Sequence, residues 1–495
     1  MKTYPTFEET EKIAESGEYG VVPIATELFA DLITPISALR VLQGVSDHVY
    51  MLESAEDHKR WGRYTFLGYD PKMEITLLDH ELRIRGGDRE EAIRVDHPGE
   101  KLRELLGQYR SPKIRQLPPF TGGLVGYFSY DFIKYSEPSL KTGINDDEHF
   151  KDMDLMLFDR VICFDNYRQK IILIANVNLK ESGRDIRAAY DKTTEQLADM
   201  KRLLESGKSA KERPLRLKSD FRALFSEEQF CGMVQRGKDY IKEGDIFQVV
   251  LSNRLEADME GSLLDTYRLL RTTNPSPYMF YFSSRDVEIA GASPETLVKL
   301  QDGRLFTYPL AGTRPRGNDK DEDEALEKEL LADEKERAEH NMLVDLGRND
   351  IGRISEIGSV RVERYMDILR FSHVMHIGST VTGQIRPDRD AISAVDAILP
   401  AGTLSGAPKL RACEIIEELE GCKRGIYGGA IGYLDFTGNL DTCIAIRLAF
   451  AKNGKVYVRS GAGIVADSRP EMEYRESINK AKAVMNALRE ADGGI

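Results

Sequence analysis

Two short acidic patterns are the first residues in this sequence whose types and spacing could do chemistry. Glu336 and Glu339 stand three residues apart in DEKERAEHNMLVDLGRND. Glu473 and Glu476 do the same in PEMEYRESINKAKAV, with Lys480 one turn further on. At helical spacing the members of each pair share a face. Four carboxylates on two helices could hold one Mg²⁺, a hard cation that keeps several waters and uses few protein carboxylates. Taken singly, an ExxE pattern on a charged helix reads more readily as a solvated face.

Four further features point to a small anionic ligand. Gly461, Ala462 and Gly463 follow the strand-like run KVYVRS, and glycines there let backbone N–H groups approach an anion, although a plain turn has the same pattern. AGTRPRG, 311–317, joins the permissive Gly312 to the Thr313 hydroxyl and two arginines; a structural loop with solvated arginines looks alike. Arg447 lies inside the apolar run TCIAIRLAF. On a core face it must find an anion, because an unpaired buried charge is costly; on the other face of an alternating strand it meets water. His376, in FSHVMHIGST, is either a catalyst or a satisfied core side chain. Together these patterns describe a Mg²⁺ enzyme acting on a small carboxylate.

The elements that must position these residues fall into blocks. Residues 1–20 read as a polar helical lead-in, 21–180 as short β-rich runs, and 181–206 as a polar helix. The charged stretch 206–220 reads as a linker. Ser226 ahead of Glu227, Glu228 and Gln229 is a capping-box start. Beyond it DVEIAG, TLVKL, RLFTYPL, AIGYLDF, DTCIAIRLAF and KVYVRSGAG look like strands, with hairpin signals at 301–303, 437–439 and 453–454. Helical patterns cover about 322–349, 390–399, 407–420 and 470–491. Blocks without βαβ alternation favour an α+β fold with large antiparallel sheets. The organisation expected is an N-terminal domain over 1–205, a linker over 206–220 and a catalytic domain over 221–495.

A chain of 495 residues exceeds what one core usually fills, about 250–300 residues. It is 41% hydrophobic and 31% charged with a net charge of −13. That balance gives no general attraction for nucleic acid or an anionic membrane, so neither is expected as a partner, and an anionic substrate needs a local positive or metal site. No run reaches about 18 apolar residues, and the first residues have no signal-peptide core. Five scattered cysteines without CxxC spacing suit reduced thiols in a cytoplasm.

From about 225 to 490 the sequence resembles the chorismate-utilising enzymes. FQVVLSNR, NPSPYMFYF, IAGASPETLVKL, TYPLAGTRPRG, AEHNMLVDLGRND, SHVMH, LPAGTLSGAPK, RGIYGGAIGYLDF, LDTCIAIR, GAG and the final ExxE helix occur in that order. The first half, with YMLESAE and GGLVGYFSYD, is similar to the anthranilate synthase large-subunit form of the family. The resemblance implies a four-layer α/β/β/α sandwich with two large antiparallel sheets. It implies that Glu339 and Glu476 are Mg²⁺ carboxylates with Glu336 and Glu473 beside them, the metal holding the ring carboxylate of chorismate. Gly312 and Thr313 match the loop at the ring, and Gly461, Ala462 and Gly463 match a carboxylate cradle. Tyr427 and Arg447 match the clamp on the enolpyruvyl carboxylate. Glu295 matches the general acid at the departing C4 hydroxyl, and Thr403 and His376 match active-site residues, His376 the one tied to pyruvate elimination.

Two positions separate the branches of the family. Isochorismate and salicylate synthases resemble one another in a water-activating lysine where this chain has Gln248. Aminodeoxychorismate synthases carry a lysine in place of Ala311. The resemblance therefore implies ammonia as nucleophile and anthranilate and pyruvate as products. It implies a hetero-oligomer with a separate glutamine amidotransferase subunit, because no Cys–His glutaminase half is found in the sequence. It also implies feedback inhibition by tryptophan at Glu53, Ser54, Pro277, Tyr278 and Met279. Two rival readings stay open: an enzyme that stops at aminodeoxyisochorismate, and a catalytically dead subunit that only senses tryptophan.

Overall fold

The computed structural model describes residues 2–55, 61–140, 145–180, 185–370 and 374–495. Outside the described residues fall the last residue of YMLESAE, the start of the helix expected from 181, and 371–373 ahead of His376. The described chain forms the α+β sandwich expected. Thirteen strands make one sheet and twelve the other, and neighbours pair antiparallel.

Four layers follow from which faces are apolar. In Lys170–Asn178 every residue from Ile171 to Val177 is buried. Ile172 and Ile174 point between the sheets, into the cluster that also holds Phe66, Phe158, Phe280 and Phe282. Ile171, Leu173 and Ala175 point outward under Leu197 and Met200 of Ile186–Ser206, and further along the same sheet Val456 and Val458 lie under Val484 and Leu488 of Pro470–Ala491. Period-two alternation separates these two sets, and burial of both faces explains the continuous apolar run. The twelve-stranded sheet does the same with Glu334–Gly352 and Ala391–Ile398, through Val344, Ile351, Ile392 and Val395.

Both sheets take strands from both halves of the chain. In the larger one Val49–Glu53 lies beside Tyr278–Ser283, and in the smaller one Gly123–Phe128 lies beside Ala430–Asp435. Within 206–220, Leu215 is fully buried and Arg216–Leu217 pairs with Met259 and Glu260 at a sheet edge.

Local signals perform as expected where the backbone demands a residue type. Asp302–Gly303 and Asn453–Gly454 have positive φ at both positions and close two-residue hairpins. Ser226 and Gln229 form a reciprocal capping box. Two expectations need correction. The helix expected over 322–349 is two helices, Lys320–Ala332 and Glu334–Gly352, because Asp333 leaves the helical conformation and accepts from the Lys335 and Glu336 N–H groups. DTCIAIRLAF is two strands, Leu440–Ile444 and Leu448–Lys452, which belong to different sheets. Among the described residues, no helix is long and apolar enough to cross a membrane, and the five cysteines are free.

Candidate active site

The site grows from a place where two stretches of chain change sheets together. One leaves the larger sheet after Glu288–Ser293 and enters the smaller as Thr296–Gln301; the other leaves the smaller after Leu440–Ile444 and enters the larger as Leu448–Lys452. The crossings are tied to each other. The Ile444 N–H donates to the Glu295 carbonyl at 2.9 Å, the Ala292 N–H to the Arg447 carbonyl at 3.1 Å, and the Ser293 hydroxyl to the Ile444 carbonyl at 2.7 Å. Glu295 and Arg447 are therefore corner residues. Arg447 has φ of 51°, a conformation a bulky side chain adopts only where the surroundings enforce it. It lies on neither strand face weighed from the sequence. Its side chain is exposed, but protein around it lowers its pKa by desolvation, as on the wall of a cleft.

Glu295 is partly buried. Burial pushes its carboxyl up to about 7, opposed by a hydrogen bond from Thr403 and by the charges of Arg447 and Lys480. The Thr403 hydroxyl donates to Glu295 Oε1 at 3.1 Å. Such a carboxyl is about half protonated at neutral pH, so it can give a proton away there.

His376 stands on Val374–Gln384. Its Nδ1 lies 2.8 Å from the Gly312 carbonyl and 3.1 Å from the Thr313 hydroxyl. A carbonyl only accepts, so Nδ1 carries the hydrogen and Nε2 the basic lone pair. Burial lowers the pKa of His376, with Arg447 adding to the effect against the Gly312 hydrogen bond; the ring is neutral near pH 7. Gly312 has φ of 66°, and a Cβ there would lie 2.8 Å from Leu330 and 3.2 Å from Glu336 Oε2. That glycine brings the loop against the helix that bears Glu336.

The glycines belong to the end of their strand and do not follow it. Gly461, Ala462 and Gly463 lie inside the strand Lys455–Ile464, opposite Ser252, Leu251 and Val250. The neighbour on the other side, Leu448–Lys452, pairs only as far as Val458. Among the described residues, that strand does not pair with the edge at 461–463. A Cβ at Gly461 would lie 2.4 Å from the Leu251 carbonyl and 2.9 Å from the Tyr427 hydroxyl, and one at Gly463 would lie 2.7 Å from Gln248 Nε2. Tyr427 is 5% exposed, and burial raises its hydroxyl to about 12. Gln248 is 9% exposed, and among the described residues its Oε1 has no hydrogen-bond partner. Ala311 is buried beside Ile377.

Glu336 and Glu339 lie in the first two turns of Glu334–Gly352, and Glu473 and Glu476 near the start of Pro470–Ala491. The helices bring the pairs within electrostatic reach of each other. Burial raises the pKa of Glu339, and Glu336 and Glu476 raise it further. Burial raises Glu473, with Glu476 adding to it. Lys480 Nζ bridges to Glu476 Oε1 at 2.7 Å. Among the described residues no three His, Cys, Asp or Glu side chains close to metal-binding distance. The donor chemistry nonetheless fits Mg²⁺: hard oxygens, mutual repulsion that a cation relieves, and an ion satisfied by one or two protein carboxylates plus waters.

Apart from this cleft, the two segments expected to meet tryptophan do meet. Glu53 is the register partner of Met279, and the Ala55 N–H donates to the Ser276 carbonyl. Glu53, Ser54, Pro277, Tyr278 and Met279 line one cavity of about 350 Å³. Glu53 is already engaged: Arg271 Nε and Nη2 donate to it at 2.5 and 3.0 Å, and the Tyr267 hydroxyl at 2.5 Å. Sequence reasoning missed a second carboxylate on the wall, Asp441, held by the Tyr278 hydroxyl at 2.8 Å and by Lys299 at 3.1 Å. Its alternating position opposite Lys299 was the available signal. Phe66 and Tyr433 supply aromatic faces.

The family model of the chorismate binding enzymes matches residues 48–486. Anthranilate synthase component 1 of Acetivibrio thermocellus is 46% identical over 497 residues, covering 99% of each chain. The protein of that name from Pseudomonas aeruginosa is 44% identical over 496 residues, again covering 99% of each. The crystal structure of anthranilate synthase component I from Streptococcus pneumoniae TIGR4 superposes with a TM-score of 0.74 at 39% identity, covering 92% of this chain and 98% of that one. With its cleft at the sheet crossing and matches of this length, the chain belongs to the chorismate binding enzyme family, alongside the large subunits of anthranilate synthase.

Proposed function

We propose that this chain is a Mg²⁺-dependent lyase that converts chorismate and ammonia to anthranilate and pyruvate through aminodeoxyisochorismate. The observation that carries this reading is Arg447 at the sheet crossing, its charge reaching both Glu295 and His376, with Glu295 pushed up to about 7 and His376 lowered. Arg447 and Tyr427 orient the enolpyruvyl carboxylate, and the backbone at 461–463 receives it; a guanidinium suits a planar carboxylate. When bound, Mg²⁺ supplies a Lewis acid for the ring carboxylate, held by Glu339 and Glu476 with Glu336 and Glu473 beside them. Ammonia bonds to C2 as the C4–O bond breaks. Glu295 gives its proton to the departing hydroxyl, which leaves as water, and the new ammonium sheds a proton to solvent. His376 Nε2 then takes the C2 proton as the bond between ring C3 and the enolpyruvyl oxygen breaks, leaving an aromatic ring and the enolate of pyruvate, which takes up a proton at its methylene carbon to become pyruvate. The Gln248 carboxamide supports ammonia as nucleophile: it has an acceptor to offer N–H donors and cannot deprotonate water.

The test is purified chain with chorismate, MgCl₂ and ammonium, followed by anthranilate fluorescence and pyruvate release. Both products are expected with ammonium and neither with glutamine alone, since glutamine needs a separate amidotransferase subunit. Amine addition without pyruvate would instead mark an enzyme that stops at aminodeoxyisochorismate, and no turnover a sensing subunit. His376→Met should add the amine but eliminate slowly, so the intermediate should build up by mass spectrometry. Complete loss of chorismate consumption in that variant would put His376 at the first step.

Tryptophan inhibition belongs to the same proposal. The cavity falls in the range of small-ligand sites, about 300–1,000 Å³. Phe66 and Tyr433 can flank an indole, while Asp441 and Lys299 present opposite charges to the ligand's ammonium and carboxylate. The Tyr278 hydroxyl also lies 2.9 Å from Thr296, the residue after Glu295. A ligand that favours one setting of this contact shifts the cleft, and chorismate and tryptophan must then oppose each other's binding. Ser54→Phe should leave the uninhibited rate near that of the parent and raise the tryptophan concentration for half-inhibition at least about tenfold, roughly the loss of 1.4 kcal/mol of binding. Equal inhibition of variant and parent would remove Ser54 from the site.

A further inference from the structure

Three charged side chains are buried behind the glycine cradle. Arg424 is 3% exposed, Glu420 5% and Arg459 5%. A buried ionic network is weak support for stability, because apolar replacements of similar volume are often neutral or stabilising. What this network touches is more informative. Arg424 donates through Nε and Nη2 to the two Glu420 oxygens at 3.0 and 2.5 Å. Its Nη1 donates to the Leu404 carbonyl at 2.7 Å and its Nη2 to the Val250 carbonyl at 2.6 Å. Leu404 follows Thr403, which holds Glu295. Val250 is the register partner of Gly463. The guanidinium also lies 5.9 Å from the Tyr427 ring centre, and the Tyr427 hydroxyl packs against Gly461. Arg459, two residues before Gly461, braces the same carboxylate from the other side. It donates to Glu420 Oε2 and to the Ser252 hydroxyl, both at 2.8 Å, and to the Lys423 carbonyl at 2.7 Å.

We propose that Arg424, locked by Glu420, is a positioning residue that sets three parts of the site against one another: the Thr403 turn, the Gly463 strand edge and the Tyr427 ring. The planar fork is what allows this. Four N–H vectors in one rigid plane fix four directions at once, whereas a lysine ammonium offers three donors on a flexible stem. Without the fork the cradle and the clamp lose their common reference, and misplacement of about 1 Å can cost about 100-fold in rate.

This inference rests on the chorismate reading above, so the parent enzyme is the reference. If the parent does not turn over chorismate, that reading falls first. If it does, two variants decide. The triple replacement Glu420→Met, Arg424→Met, Arg459→Met removes the charges and keeps apolar volume. It is expected to stay folded, with a melting profile like that of the parent, while kcat/KM for chorismate drops about 100-fold, most of it in KM. Arg424→Lys keeps the charge and is expected to show the same rise in KM, well below its unfolding temperature. A merely structural role would move the unfolding temperature and leave KM alone. Parental KM and kcat in either folded variant would overturn the proposal. Failure of both to fold would overturn it too, since the network would then serve the fold and not the cradle.

Discussion

Glu295→Gln is expected to lower kcat by about 100- to 10,000-fold, the usual worth of a positioned general acid, with little change in chorismate binding. Glutamine keeps the shape and can still accept from Thr403, but it has no acidic proton for the leaving hydroxyl. The parent carries its own signature. Burial raises Glu295 from an ordinary 4.5 to about 7. The acid must be protonated to act, so kcat/KM for chorismate should fall as pH rises through about 7, and the residual activity of the variant should lack that limb. Stability supplies a second reading. The folded state holds this proton more tightly than the unfolded chain does, so its contribution is fully present below about pH 4.5. It is lost as pH rises from there through about 7. At about 1.4 kcal/mol per pH unit, the ionised group costs the fold on the order of 3 kcal/mol. Glu295→Gln should therefore melt higher than the parent at pH 8 and like it near pH 4. A flat pH–rate profile in the parent, or full activity in the variant, would take Glu295 out of the proton transfer.

That pKa is where sequence reading runs out. A glutamate after Ser-Pro is visible in the sequence, and family resemblance supplies its role, but burial depends on how strands distant in the chain close around it. The same limit explains the errors in the fold. Alternation marks DTCIAIRLAF as extended, yet a sheet change at Ala445, Ile446 and Arg447 leaves no trace in composition, because both sheets want apolar residues on both sides. Asp333 among alanine and glutamates reads as helix, since its capping of Lys335 and Glu336 is a matter of backbone angle. Where a backbone state does demand a residue type, as at Asn453–Gly454 or Ser226, the sequence is explicit. Arg424 was illegible for a different reason. An arginine beside a glycine ordinarily means surface, and its backbone and ring contacts come from segments as far apart in sequence as Tyr130, Val250 and Tyr427.

The carboxylate pairs give the other large effect, and here too stability and activity should part. In the free protein Glu339 sits among like charges, with Glu336 and Glu476 raising its pKa beyond what burial does. Removing one member relieves repulsion, so Glu339→Gln should melt at or above the temperature of the parent. The same relief is what a divalent cation provides, and a ligand that binds only the folded state stabilises it by about 2.7 kcal/mol at 100 times its Kd. MgCl₂ should therefore raise the melting temperature of the parent, and that rise should vanish in Glu339→Ala with Glu476→Ala. Anthranilate formation should fall at least about 100-fold in each single variant, as when a preorganised electrostatic contact is lost, and should vanish for the parent in excess chelator. Lys480 sets the direction of one control. Its ammonium neutralises Glu476 at 2.7 Å in the free protein and competes with a cation for that carboxylate. Lys480→Met should thus strengthen the response to Mg²⁺, shifting the midpoint of the melting-temperature titration to lower concentration. An unchanged Mg²⁺ response in the double variant would place the ion elsewhere, and full activity in chelator would remove it from the reaction.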